Sequence, residues 1–149
     1  MPEPSSSRSS PLYVGAEKTA TVVVTEDMTA AHVGSGSVAV LATPQLVALV
    51  ERAAVALVDP SLPDGTTSVG GALAIDHLAP TPPGVEVAAT VRVEQSDART
   101  VRLSFVAADP GGQVARGSHV RVMVDRAAFE QQALARTEGA YRRSSERTR

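Results

Sequence analysis

Residues 40–59, VLATPQLVALVERAAVALVD, restrict what this chain can fold into more than any other stretch. Thr43 offers a hydroxyl as a helix N-cap, and Pro44 fits the first helical position, where its missing N–H is not needed. Residues 46–58 are apolar or small except at Glu51-Arg52. A helix with so broad an apolar surface has to be wrapped by other elements. At about 100° per residue, Glu51 shares a face with Val47, Ala54, Val55 and Val58, whereas Arg52 falls with Gln45, Ala48, Ala56 and Asp59 on the more polar side. Arg52 can reach water, and Glu51 is expected to sit in an apolar wall. A carboxylate there needs a partner or has to bend outward; the other reading is an acid held in place for chemistry.

The rest of the composition narrows the function class. The chain has 149 residues, 43% of them apolar, which suits one domain with its own core. A formal charge of −2 and only 3% aromatic residues give neither a basic field nor stacking platforms, so no nucleic-acid partner is expected. Without cysteine there is no thiolate nucleophile and no Cys-ligated zinc, and the reducing cytoplasm is the expected location. No apolar run is long enough to span a bilayer, so no membrane partner is expected either.

Along the chain, residues 1–11 are Ser- and Pro-rich and are expected to form a disordered tail. Residues 17–25, EKTATVVVT, suit a strand, and a short turn or helix follows through His32. After the central helix, DPSLPDGTT stops it near Asp59. Residues 69–78 read as a strand weakened by Gly70 and Gly71, and residues 79–84, APTPPG, break it. Residues 85–93 alternate cleanly, with Val85, Val87, Ala89, Val91 and Val93 on one face. The next run places Val101, Leu103, Phe105 and Ala107 together, and Asp109-Pro110-Gly111-Gly112 turns into residues 113–124, completing an antiparallel meander. Residues 126–136 could close the domain as a short helix. Residues 137–149, with four Arg, read as a second disordered tail, leaving 12–136 as the folded domain. The fold class is therefore α+β, a curved antiparallel sheet around one long helix, with sheet edges that a second copy could cover.

Three histidines are available. His32 lies beside glycines and is expected to be solvated, His77 ends the glycine-bearing strand, and alternation puts His119 on the face of Arg121 and Met123, opposite Val120, Val122 and Val124. No metal-ligand spacing, GxSxG elbow or P-loop occurs, so neither a metal nor a cofactor is expected. Thr43, Glu51 and His77 together are the groups that hydrolysis of an activated acyl compound would use: an acid or His to activate water or a hydroxyl, and a helix N-terminus or glycine N–H to hold the oxyanion.

The order VLATPQLVALVE, then VGGALAIDHLAPTPPG, then ARGSHVRV resembles the fluoroacetyl-CoA thioesterase-like family of single hot-dog-fold proteins, from Leu12 to about Arg136, most specifically at HLAPTPPG and in the Thr-to-Glu spacing. The resemblance implies a five-stranded antiparallel sheet around the helix and a homodimer joined edge to edge, with acyl-thioester sites at the dimer interface. It implies catalytic roles for Thr43, Glu51 and His77, a place near the thioester carbonyl for Gly70 with Gly71 beside it, and a contact of Arg121 with the coenzyme A portion. It departs from the family in one segment. Members selective for a fluorinated acyl group are expected to carry aromatic side chains just before the catalytic Thr, and GSGSVAVLA, residues 34–42, has none. The expected activity is hydrolysis of an acyl-CoA or acyl carrier protein thioester, not selective for fluoroacetyl-CoA. The alternatives are a hot-dog hydratase or dehydratase, and a non-catalytic acyl-thioester binding protein.

Overall fold

The computed structural model describes residues 12–148. The tail expected at residues 1–11 lies outside them. Five strands, β1 (Glu17–Val23), β2 (Thr66–His77), β3 (Glu86–Ser96), β4 (Thr100–Asp109) and β5 (Gly112–Asp125), form one sheet in the order β1-β3-β4-β5-β2. Every neighbouring pair is antiparallel. The expected meander is β3-β4-β5, and β1 and β2 close its two sides.

The sheet wraps α2 (Thr43–Val58), the helix expected at residues 40–59. Leu46, Leu49, Val50, Ala53, Ala54 and Val58 of α2 are buried against Val87, Ala89, Val91 and Val93 of β3 and Val101, Leu103, Phe105 and Ala107 of β4, the two faces that alternation had singled out. Each such Leu, Val or Phe contributes roughly 1.5–3 kcal/mol when fully buried, so this layer holds the domain together. Gly117 lets β5 cross it. A Cβ there would stand 1.9 Å from the carbonyl oxygen of Ala74 and 2.7 Å from Phe105 Cζ, closer than packing permits.

A β-bulge in β2 between Gly70 and Ala72 is the irregularity that matters most for the site. Side chains along a strand alternate faces, so positions 70 and 77, an odd number apart, would point to opposite sides of an unbroken strand. Gly71 is the extra residue. Ser68 and Gly70 face α2 before it, Leu73 and Ile75 pack on the core after it, and His77 reaches α2 from the same side.

The segment ahead of α2 is pinned to the loop after β2. The short helix α1 (Ala30–Val33) follows a 3-10 turn at Glu26–Met28. Leu41 N–H donates to the Thr81 carbonyl (2.8 Å) and Ala42 N–H to the Met28 carbonyl (2.9 Å). Thr81 is fully buried, and its hydroxyl donates to Asp109 Oδ2 at 2.7 Å. The loop that sequence reading took as a strand breaker therefore fixes the helix start relative to the end of β2.

Two expectations change. The N-cap of α2 is Ala42, so Thr43 is the first helical residue and its hydroxyl is released from capping. The last helix, α3 (Arg126–Glu146), does not stop at Arg136 but runs through most of the stretch expected to be a loose tail. Despite Gly139, most of its residues are strong helix formers, Glu138 and Arg142 are spaced for a favourable pair on one face, and Asp125 caps its start by accepting from Ala128 N–H. Its start is tied down by the Arg126 N–H bond to the Gly65 carbonyl (2.9 Å), and since no residue of α3 is buried, local propensity rather than core packing carries the rest.

Candidate active site

Thr43 and His77 meet at the junction of the first turn of α2 and the last residue of β2. Thr43 Oγ1 and His77 Nδ1 are 2.8 Å apart. Either group can donate in this bond: a Thr hydroxyl donating to Nδ1 is itself activated, and an Nδ1–H donating to Thr leaves Nε2 as a free base. An apolar hollow lined by Val40, His77, Leu78, Ala79 and Pro80 adjoins the pair.

Glu51 lies two turns further along α2 on the border of the buried face. Its side chain is 42% exposed, so it is not sealed in an apolar wall as the helical pattern suggested. One oxygen is held: Oε2 is 3.3 Å from Arg121 Nη1. Gly70 makes room for this pair, because a Cβ at position 70 would stand 2.9 Å from Glu51 Oε2 and 3.6 Å from Arg121 Nη1. Glu51, Gly70, Gly71, Ala72, Leu73 and His119 line a cleft of about 230 Å³. Gly70, Gly71 and Ala72 are exposed on the edge strand, where backbone N–H groups are open to an incoming carbonyl oxygen.

Arg121, for which the resemblance implies a contact with coenzyme A, is only 4% exposed. Its Nε donates to Ser68 Oγ (3.0 Å), its Nη2 to the Ser68 carbonyl (2.8 Å), and its Nη1 faces both Glu51 and, at 3.4 Å, His119 Nε2. Burial pushes its pKa down, and the nearby Glu51 and Asp59 carboxylates oppose that shift. His119 shares the face of Arg121, as alternation indicated, and is buried there with it. Desolvation lowers its pKa, with Arg121 adding to the effect, against the opposing hydrogen bond to Ala72. Since a carbonyl can only accept, Nδ1–H donates to Ala72 O at 2.8 Å and Nε2 is left as an acceptor for Arg121.

The residues singled out from sequence thus form two groups within one chain, Thr43 with His77 and Glu51 with Gly70 and Arg121. Eight residues of helix separate Thr43 from Glu51, about 12 Å along the axis. Sequence reading missed Ser68 and Asp59 behind Arg121. The only available signal was that Ser68 shares a strand face with Gly70. His32, in α1, is exposed as expected. Among the described residues no group of three or more His, Asp or Glu side chains gathers to hold a metal, and no helix is long and apolar enough to cross a membrane.

Comparison with known proteins identifies the family and the fold. Residues 24–127 match the fluoroacetyl-CoA-specific thioesterase family. The fluoroacetyl-CoA thioesterase of Streptantibioticus cattleyicolor is 33% identical over 85 residues, which span 57% of this chain and 61% of that protein. The solved structure of the fluoroacetyl-CoA thioesterase FlK superposes with a TM-score of 0.80 at 27% identity, covering 85% of this chain and 98% of that one. A hot-dog-like protein from Thermanaerovibrio acidaminovorans gives 0.77 at 30% identity over 84% and 93% of the two chains. The sheet wrapped on α2 is therefore a hot-dog fold, and the chain belongs to the fluoroacetyl-CoA-specific thioesterase family.

Proposed function

We propose that this protein hydrolyses an acyl-CoA thioester to the free acid and coenzyme A, working in the cytoplasm as a homodimer with Thr43, Glu51 and His77 as its catalytic groups. The observation that carries the reading is the pairing of an ionisable side chain with an open cleft. The Glu51 carboxylate, tethered through Oε2 to buried Arg121, borders the cleft beside the exposed Gly70–Ala72 backbone. Water, or the carboxylate itself, adds to the thioester carbonyl, and a backbone N–H at Gly70 or Gly71 holds the resulting oxyanion. Collapse breaks the C–S bond, and the thiolate leaves and takes a proton from protonated His77 or water. Where the carboxylate has added, water then hydrolyses the acyl–Glu51 anhydride to the free acid and restores the carboxylate. His77, oriented by Thr43, serves as the general base that draws a proton from the water that attacks the thioester or the anhydride.

A second copy completes the arrangement. β2 is a sheet edge, and pairing it with its own symmetry mate gives an isologous antiparallel ladder. Centred between Gly70 and His77, such a ladder sets position 70 of one copy against position 77 of the other. The Thr43–His77 pair of one protomer then faces the Glu51–Gly70 cleft of its partner, closing the gap that separates them along a single helix.

The acyl group is not expected to be fluoroacetyl in particular. Residues 34–38 are exposed and carry no aromatic side chain, and the hollow beside His77 is bounded by Val40, Leu78 and Pro80, which leaves room for larger acyl chains. The test is thiol release over a panel of acyl-CoA chain lengths that includes fluoroacetyl-CoA, with wild type, Glu51→Ala and His77→Ala. Wild type is expected to release coenzyme A from several acyl-CoAs without preference for the fluorinated one, and each variant to lose about 10²-fold or more while staying folded. Full activity in both variants would sink the site assignment. Binding without release across the panel would leave a non-catalytic acyl-thioester binder, and release only from a carrier-protein thioester would exclude coenzyme A as the substrate's carrier.

A further inference from the structure

Asp59 stands where a helix least favours an acid. It is the C-cap of α2, at the negative end of the helix dipole. It is nevertheless well satisfied, because the Ser68 hydroxyl donates to Oδ1 at 2.5 Å and the Thr67 hydroxyl to Oδ2 at 2.9 Å. The direction of the next link is fixed by chemistry. A guanidinium can only donate, so Ser68 Oγ accepts from Arg121 Nε, and its own proton is the one that goes to Asp59. The Ser68 carbonyl takes Nη2. One edge of the guanidinium is thus gripped by a single residue, and Nη1 alone is left for Glu51 and His119.

Two carboxylates therefore flank one buried cation, and they are placed unequally. Glu51 touches Arg121 directly, whereas the Ser68 hydroxyl stands between Arg121 and Asp59. A buried Arg with an open path to Asp59 would gain by a direct, two-toothed pair with it and would withdraw from the half-exposed Glu51. The hydroxyl blocks that collapse.

We propose that Ser68 and Asp59 are positioning residues for the Glu51 carboxylate, acting through Arg121, and that Arg121 serves Glu51 and not coenzyme A. This rests on the reading of Glu51 as the acid that works at the thioester carbonyl. Neither Ser68 nor Asp59 lines the cleft, so substrate does not meet them. Their effect is on where Glu51 Oε2 is held, and with it the orientation of the carboxylate at the cleft.

The test combines steady-state kinetics, calorimetric binding of coenzyme A and thermal unfolding on the full chain. Ser68→Ala is expected to lower kcat about tenfold, with KM and the Kd for coenzyme A within about twofold of wild type, since sub-ångström to 1 Å misplacement of a reacting group costs on this scale. Adding Asp59→Asn to Ser68→Ala removes the anion that draws Arg121 away and is expected to recover part of the lost kcat. Further loss in the double variant would mark a purely structural role and overturn the proposal. Weaker coenzyme A binding with kcat intact would overturn it in favour of a ligand role for Arg121. Should Ser68→Ala fail to fold, Ser68→Thr retains the hydroxyl and is expected to keep kcat within about threefold; a tenfold loss in folded Ser68→Thr overturns the proposal too. Glu51→Gln in the same assay separates the two levels. If it is fully active, the catalytic reading of Glu51 fails; if it is inactive while Ser68→Ala behaves as wild type, only the positioning inference fails.

Discussion

An alanine at position 70 would bring its Cβ to 2.9 Å from Glu51 Oε2, and the atom that has to move is the end of a flexible side chain, not backbone. The two consequences therefore separate. The fold absorbs the substitution, but the carboxylate is pushed from its 3.3 Å contact with Arg121. Gly70→Ala is expected to unfold within about 2 °C of wild type and to lose about tenfold or more in kcat, measured by thermal melting and thiol release. Equal losses in stability and activity would mean that Gly70 serves the strand and not the acid. At this scale the sequence was informative about residue types and blind to contacts. Thr43, Glu51 and His77 were legible as candidates because few polar groups interrupt apolar runs, and for His119 alternation gave the strand face it shares with Arg121 but not its place in the site. Ser68 and Asp59 were not legible, since a Ser in a strand and an Asp at a helix end look like ordinary surface residues until β2 and β5 are set side by side. The exposure of Glu51 was misjudged for a related reason: a helical wheel gives the face but not where its partner layer ends.

At the level of elements, alternation identified β3 and β4 because each buries one face completely, and the apolar run identified α2 for the same reason. The bulge in β2 was only half visible. Two adjacent glycines signalled a weak place in the strand, but the change of face that lets Gly70 and His77 both meet α2 follows from pairing with β5, which no local pattern encodes. The C-terminal helix shows the opposite limit. A loose tail was expected from Thr137 because the segment has no apolar pattern with which to build a core, and that part of the reasoning holds, since no residue of α3 is buried. What it overlooked is that helix formers can extend an already nucleated helix without tertiary contacts. Deleting residues 137–149 is accordingly expected to shift the melting temperature by no more than about 2 °C and to leave thiol release unchanged. A larger destabilisation would place the domain boundary beyond Arg136.

For the molecule as a whole, the decisive matter is whether one chain or two make a working site. Within one chain the Thr43–His77 pair and the Glu51–Arg121 pair are separate clusters, and the free edge of β2 offers a symmetric way of bringing unlike clusters together. If each site takes His77 from one protomer and Glu51 from the other, two inactive proteins can repair each other. A dimer of one Glu51→Ala chain and one His77→Ala chain has one site with both residues intact and one site with both missing. Random exchange of equal amounts makes half the dimers mixed, each with one of its two sites restored, so activity is expected to rise to about a quarter of wild type after mixing and partial unfolding and refolding. If each site is built within a single chain, every site in every mixed dimer lacks one group, and no activity returns. Light scattering on the same samples, with a dimer expected, distinguishes that outcome from a failure to exchange, because a monomer would show that the β2 edge is not an interface at all.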